Sequence, residues 1–492
     1  METKQTKRPL VLVALVLSMF MAAVEGTIVA TAMPNIVADL GGFSLYSWVF
    51  SSFLLMQAVT TMIYGKLADL FGRKPIFIIG VIIFLTGSIL CGFATNMGLL
   101  IIFRLIQGLG AGAIQPIVTT IVGDMYTVKE RAKVQGYLAS VWGVSSVIGP
   151  LLGGVMVQYI NWAWIFWMNI PLGILGLIGV IFYFHESVDT EKKTIDYLGS
   201  SLFFIAISCL IIVFVQAGTN WAWLSVETLT FSFIFIIGMI YFLWHESKIS
   251  TPMMPLYLWR NKLIVIANIA TFLSGVIILG LSSFLPTYVQ GVMGESAIVA
   301  GFTLSTLSIG WPISATLAGH LVLRIGFRAT AFAGGFALFL GTFLFFLLDA
   351  DKGPIYAGIS SFIVGIGMGL SSTTFIVAIQ NAVSWHERGV ATSLNMFMRI
   401  IGSAVGTAFL GGLLNIQLDH FYEQKGTDIA VQSTDVLLDE GMRQTIPTEV
   451  LATMKDGLTY ALHTVNTGLF LIGTLTFILL WFFPKVTIKK QD

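Results

Sequence analysis

Gly65-Lys66-Leu67-Ala68-Asp69-Leu70-Phe71-Gly72 follows the second of a long series of apolar runs, and Gly319-His320-Leu321-Val322-Leu323-Arg324-Ile325-Gly326 follows the tenth. Both stretches keep Gly-x-Leu, with a second glycine seven residues after the first. They stand 254 residues apart. Three further pairs share an offset of 257: Gly108–Gly112 with Gly365–Gly369, Glu130-Arg131 with Glu387-Arg388, and Gly149 with Gly406. The difference of three is a change of loop length. The chain therefore reads as two related halves, about 10–184 and 263–484, with extra material between them. Parallel repeats of this kind mark secondary transporters, in which substrate binds between the halves near the bilayer midplane.

Composition says what surrounds these halves. Hydrophobic residues make up 56% of the 492 and charged residues 10%, against roughly 25% charged in soluble domains. The mean hydropathy of +0.88 agrees. A spanning helix needs about 20 apolar residues. That rule places fourteen, near 10–32, 47–66, 75–94, 98–121, 135–157, 163–184, 197–216, 226–245, 263–290, 297–320, 329–348, 355–379, 391–414 and 464–484. The N-terminus imitates a signal peptide, but its apolar run from Leu10 to Ala32 is long enough to span and reads as the first helix. With both termini in the cytoplasm, 20 of the 26 basic residues fall in inner segments and 4 in outer ones, as the positive-inside rule requires. Arg104 and Arg399 lie inside helices. Trp48, Trp162, Trp164, Trp221 and Trp223 cluster at outer helix ends, where indoles suit the headgroup boundary; Trp142 and Trp311 fall within helices.

The net charge of +1 gives nucleic acid no electrostatic basis. Cys91 and Cys209 sit in separate apolar runs and read as free buried thiols. None of the six histidines stands at metal-ligand spacing from a cysteine or another histidine. There is no Gly-x-x-x-x-Gly-Lys-Ser/Thr phosphate loop and no legible nucleophile triad, so neither a nucleotide-driven pump nor an enzyme is expected.

Five stretches carry the reading further. Gly65-x-Leu67-Ala68-Asp69-x-x-Gly72-Arg73-Lys74 joins the second and third helices. Arg104-x-x-Gln107-Gly108-x-Gly110-Ala111-Gly112 lies in the fourth, and Gly143 through Gly149-Pro150-x-x-Gly153-Gly154 in the fifth. Glu25-Gly26-Thr27-Ile28-Val29-Ala30-Thr31-Ala32-Met33-Pro34 belongs to the first, and Trp164-Ile165-Phe166-Trp167-Met168-Asn169-Ile170-Pro171-x-Gly173 opens the sixth. The first three resemble, in order, motifs of the major facilitator superfamily. The last two are similar to its fourteen-helix drug:proton antiporter branch, exporters of the quaternary-ammonium and multidrug resistance type. The resemblance covers the whole chain. It implies an all-α polytopic membrane protein: two six-helix bundles in pseudo-two-fold relation plus two inserted helices. Residues 1–190 would form the first half, 191–262 the insert, and 263–492 the second half with an outer loop at about 415–463. It further implies a monomer in a bacterial plasma or inner membrane, with a proton gradient as its energy source and no cofactor.

Each motif has its own physics. Around Gly65 and Gly72 a tight turn is possible, and Asp69, Arg73 and Lys74 can pair with neighbouring helix ends, Asp124 and Arg131 among them. Such a cluster can latch one conformation and release another; the plainer reading is a solvated basic loop. The second copy has Leu323 in place of Asp69, which argues against a matching latch. In the fifth helix Pro150 frees a carbonyl, while Gly149, Gly153 and Gly154 suit close packing. The resemblance makes this an antiporter hinge; ordinary helix packing needs the same residues.

Glu25 is the one carboxylate placed well within a spanning helix. Burying it as an anion costs roughly 2.5–3.5 kcal/mol, which favours its neutral form and makes it a candidate proton carrier. A static salt bridge to Arg104 is the plainer reading. In the family the equivalent of Arg104 is associated with coupling near the first helix, so exchange between Glu25 and Arg104 would link protonation to conformation. The family more often has aspartate at position 25. Cavity candidates are Gln57, Gln115, Trp142, Trp311, Asn395, Met396 and Arg399, polar, aromatic or adaptable residues among apolar ones; core packing would also account for most of them. Arg399 has no nearby acid in sequence, and the second half offers no intramembrane acid for a divalent organic cation.

The segment 415–463 carries eight acids against three bases, and Pro447-Thr448-Glu449 resembles a helix start. Val450, Leu451, Met454 and Leu458 would form an apolar face, giving either a flap over the exit or a passive linker. The expected function is proton-coupled export of small amphipathic drugs by alternating access, with protons, substrate and lipid as partners. Export of a lipid or metabolite by the same machinery stays open, because the motifs describe coupling and not cargo. A membrane sensor that does not transport is the third reading.

Overall fold

A computed structural model describes residues 6–41, 45–186, 195–217, 221–249, 251–425, 437 and 447–485. Among them, thirteen helices are long and apolar enough to cross a membrane. One of these, Ala297–Phe346, is two helices merged across a non-helical Gly326 at φ 83°, ψ 168°, so the spans number fourteen. We label them α1 (Arg8–Leu40), α2 (Tyr46–Phe71), α3 (Arg73–Gly92), α4 (Met97–Met125), α5 (Val128–Tyr159) and α6 (Trp164–Tyr183). Then come α7 (Tyr197–Gln216), α8 (Val226–Glu246), α9 (Lys262–Thr287), α10 (297–325), α11 (327–346), α12 (Gly353–Ala382), α13 (Arg388–Lys425) and α14 (Thr448–Trp481).

Gly326 repeats what Gly72 does between α2 and α3, where φ is 95° and ψ 156°. That region is open to glycine alone, which explains why the second glycine of the repeated octapeptide survives in both halves. The packing repeats as well. Within the first half α1 packs on α5, α2 on α4, α3 on α4 and α1 on α6; within the second α9 packs on α13, α10 and α11 on α12, and α9 on α14. The halves meet along two seams, α5 against α10–α11 and α2 against α13, which the repeat exchanges. The inserted pair α7–α8 packs on itself and covers the α2–α13 seam, with the ring of Phe203 5.2 Å from that of Phe397 and tilted 54° to it. The outer face of α8 exposes Leu229, Phe233, Ile236 and Ile240, a surface suited to lipid and not to water.

Both ends of the helical chain lie at one end of the bundle. The backbone N–H of Lys7 donates to the carbonyl of Tyr183 at the end of α6, and Arg328 beside the α10–α11 turn donates to the carbonyl of Trp481 at the end of α14. This is the end that collects Arg73, Lys74, Arg131 and Arg388, and we call it the basic end.

The loop between α13 and α14 is shorter than its sequence implied. α13 continues to Lys425 and α14 already begins at Thr448, so most of the expected loop 415–463 on either side of 426–446 is helix. Leu418 and Tyr422 on α13 are buried against Ala461 on α14, and this pairing holds the helices together past the apolar run. Thr448 starts a helix as expected, with Met454 and Leu458 buried and Val450 exposed, but it runs unbroken into the last span and is no separate flap.

Candidate functional site

Three groups of residues come together. The first is closed inside the first half. Glu25 on α1 and Arg104 on α4 are buried and form a short ion pair from Nη1 to Oε1. The other carboxylate oxygen accepts from Asn169 Nδ2 at 2.7 Å. Arg104 also donates from Nη1 to Gln107 Oε1 at 2.8 Å and from Nε to the carbonyl of Val49 at 3.1 Å, and its guanidinium lies 4.2 Å over the ring of Phe53. Ser88 accepts from both Gln107 and Asn169, at 2.7 and 3.2 Å. Removing either charge would strand the other in a buried site, which makes the pair costly to break one-sidedly. Asn169 and Ser88 had no assigned role in the sequence; Asn169 stood in plain view in the stretch that opens α6, but only the fold shows that it reaches α1.

The second group bridges the two halves at the basic end, across the α2–α13 seam. Arg73 pairs with Asp69 at 2.9 Å and Asp124 at 3.0 Å, donates to the carbonyl of Trp385 at 2.6 Å, and stacks 3.7 Å from that indole. Asp69 in turn accepts from the backbone N–H groups of Gly389 and Val390 at 2.9 and 2.7 Å. These are the first free donors of α13, where the helix dipole favours an anion. Arg388 crosses the seam to Asp124 at 2.5 Å and to the carbonyl of Gly123 at 3.0 Å. Gly65 lies so close to α13 that an added Cβ would stand 2.2 Å from Ser393 Oγ. Arg131 departs from expectation: it caps the carbonyls of Gly123 and Tyr126 at the end of α4 and forms no ion pair with Asp69 among the described residues. The repeat explains the exchange, since Arg388 is the counterpart of Arg131 and reaches the same α4 end from the other half. Lys74 likewise leaves the cluster and donates to the carbonyls of Ile181 and Phe184 at the end of α6.

The third group lines a cavity of about 810 Å³ between the halves. Gln57, Gln115, Trp142, Trp311, Met396 and Arg399 all border it. Asn395 does not: it is buried in the α9–α13 seam and donates to Asn268 and Thr271 at 3.0 and 2.9 Å. The lining obeys the repeat. Gln57 on α2 answers Trp311 on α10; Gln115 and Thr119 on α4 answer Ser372 and Ile376 on α12; Ala139 and Trp142 on α5 answer Met396 and Arg399 on α13. Ile211 and Phe214 of the inserted α7 also border it. Projecting the two offsets onto Gln57 and Trp142 was the signal that could have paired these positions from sequence.

On α5, Gly149 and Gly153 face α1: an added Cβ at Gly149 would meet Thr27 Oγ1 at 2.1 Å, and one at Gly153 would meet Ile28 at 3.0 Å. Thr27 donates across this contact to the carbonyl of Ser145 at 3.2 Å. Gly154 faces open space, and the side chain of Pro150 lies outside the described residues.

The sequence pattern of the Major Facilitator Superfamily matches residues 15–407. The chain belongs to this superfamily. The Multidrug resistance protein 3 of Bacillus subtilis is 34% identical over 97% of this chain and 94% of its own length. The Multidrug transporter protein MdtP of the same organism is 36% identical over 86% of this chain and 78% of its own. A solved structure of the proton:xylose symporter XylE superposes with a TM-score of 0.62 at 13% identity, covering 98% of this chain and 96% of that one, and shows the shared fold. As a superfamily member with fourteen apolar spans, the chain is a multi-pass plasma-membrane transporter and not an enzyme.

Proposed function

We propose that the protein exports small amphipathic drugs by alternating access, driven by protons that bind at Glu25. The observation that carries this is the Glu25–Arg104 pair, buried and closed inside one half, yet mechanically joined to the cavity wall. α1 bears Glu25, packs on α5 through Gly149 and Gly153, and α5 forms the seam with α10. Protonating Glu25 removes its charge and weakens its hold on Arg104, which keeps Gln107 and the carbonyl of Val49 as acceptors. α1 is then free to shift against α4, and the shift passes to the α5–α10 seam. The cluster around Arg73 acts as the latch that holds the basic end shut, and with that end in the cytoplasm the protein stands with its inner gate closed. The curated relatives named for multidrug transport support drugs as cargo.

The test is efflux from cells lacking their own exporters, using ethidium, Nile red and dansylglycine as cationic, neutral and anionic probes. Wild type is compared with Glu25→Gln at matched expression, with and without a collapsed pH gradient. Gradient-dependent efflux of a probe by wild type, lost in Glu25→Gln, supports the reading. Normal pumping by Glu25→Gln removes Glu25 from coupling. Failure of wild type with every probe moves the cargo to a lipid or metabolite.

A further inference from the structure

We propose that Arg399 recognises the anionic group of the cargo, so that the preferred substrates are amphiphiles carrying a carboxylate or sulfonate on an aromatic or apolar body. This rests on the exporter reading and adds the chemical class of its substrate.

Arg399 lies eleven residues after Arg388 on α13, about 16 Å along the helix at 1.5 Å per residue. That is close to the middle of a hydrocarbon core roughly 30 Å thick. The four arginines buried among the described residues are engaged: Arg73, Arg104 and Arg388 by acids, Arg131 by helix-end carbonyls. Arg399, which borders the cavity, has no ion pair and no hydrogen bond among the described residues. The cavity supplies no counter-ion either, since Arg399 is the one charged side chain among its described lining residues. A guanidinium at this depth without an acceptor carries a desolvation cost. A bound anion offsets that cost, and the planar fork suits a carboxylate or sulfonate in two parallel hydrogen bonds.

The rest of the lining fits the body of such a molecule. Trp142, which the repeat sets opposite Arg399, together with Trp311, Phe214 and Phe284, offers aromatic faces around an otherwise apolar space. At this pair of repeat positions the first half thus presents an indole and the second a charge. A cation in the same place would meet the unneutralised charge of Arg399 in a low dielectric and be disfavoured.

Tryptophan-to-dansyl energy transfer tests this on the purified full chain, because Trp142 and Trp311 border the site. Dansylglycine and its methyl ester differ in one negative charge and little else. Wild type should bind the acid about tenfold or more tighter than the ester, as a charge-assisted pair implies. Arg399→Gln should abolish that preference and leave ester affinity within about twofold, which also certifies its fold. Arg399→Lys should keep part of the preference, and it decides the matter if the glutamine variant does not fold. Equal affinity of wild type for acid and ester overturns the proposal, and so does an acid-to-ester ratio unchanged in Arg399→Gln. Binding is read at equilibrium without a gradient. An acid preference without efflux of any probe sinks the drug-export reading, moves the cargo to an anionic lipid or metabolite, and leaves Arg399 standing; efflux of ethidium or Nile red without an acid preference does the reverse.

Discussion

Asp69→Asn should open the basic end. The carboxylate holds three donors, Arg73 Nη2 at 2.9 Å, Gly389 N at 2.9 Å and Val390 N at 2.7 Å. An asparagine keeps one acceptor oxygen, loses the charge opposite the α13 N-terminus, and turns an N–H group toward Arg73 or the backbone donors. Hydrogen bonds to charged groups contribute about 1.5–3 kcal/mol each. Much of the gross ionic attraction is offset by burial, so a net loss equal to about one such bond, near 2–3 kcal/mol, is the working figure. That shifts the balance between closed and open basic ends by about 30- to 150-fold. The readout is alkylation of a cysteine placed behind the seal. Thr392→Cys suits this: Thr392 is buried on α13 one turn beyond the Asp69 contacts. The native thiols Cys91 and Cys209 are buried as well, which keeps the background low. In inside-out vesicles an impermeant maleimide reaches the introduced thiol only through open molecules, so its rate follows the open fraction. Asp69→Asn should raise that rate by more than about tenfold. A rate within about twofold of the parent, in protein that still binds probe, would refute the latch.

Two more outcomes follow from the first half. Arg104→Lys replaces a fork that serves Glu25, Gln107 and Val49 and stacks on Phe53. A point ammonium cannot hold all four, so gradient-driven efflux should drop about tenfold or more while equilibrium probe binding persists; wild-type efflux would show that guanidinium geometry is immaterial. Gly149→Ala sets a methyl group 2.1 Å from Thr27 Oγ1 and 3.1 Å from its Cβ, and overpacking of this kind costs about 1–3 kcal/mol. Thermal unfolding should show the loss, and Thr27→Ala should restore part of it; absence of any rescue would mean that α1 and α5 do not meet there.

The architecture was legible because the repeat and the basic-residue asymmetry are properties of the chain itself. Gly72 and Gly326 could be paired from sequence, and both take a backbone conformation that glycine alone adopts. The apolar criterion failed where helices continue past the apolar run: α13 beyond residue 414 carries Asp419, His420 and Glu423, so its hydropathy falls, while Leu418 and Tyr422 keep a buried stripe against Ala461. A partner helix holds that segment, and no local window contains it. The Glu25 site was half legible for the same reason. The carboxylate and the arginine announce themselves by their cost, but Ser88 and Asn169 are ordinary polar residues until α3 and α6 bring them together. Asn395 misled because an amide within a span fits a cavity wall and an interhelical hydrogen bond equally well.

The repeat also shows what the two halves do not share. The counterparts of Asp69, Arg73 and Asp124 are Leu323, Phe327 and Asn381, so among the described residues the ion cluster is at one seam and has no copy at the other. At the other, α5 meets α10 through close contacts: an added Cβ at Gly136 would stand 2.6 Å from Thr316 Oγ1, and one at Gly143 would stand 2.7 Å from the carbonyl of Ser308. A buried ion cluster contributes little net stability compared with apolar packing, but its parts either pair or do not, which suits a contact that must be wholly made or wholly broken. Smooth glycine contacts suit a seam that slides. Glu25 sits on the helix that packs against α5 of the glycine-lined seam, and the ion cluster spans the opposite one. If protonation is read at α1 and the gate is held at α13, the rigid unit between them is the first half itself. A substitution that loosens α2 from α4 should then uncouple the two without touching either.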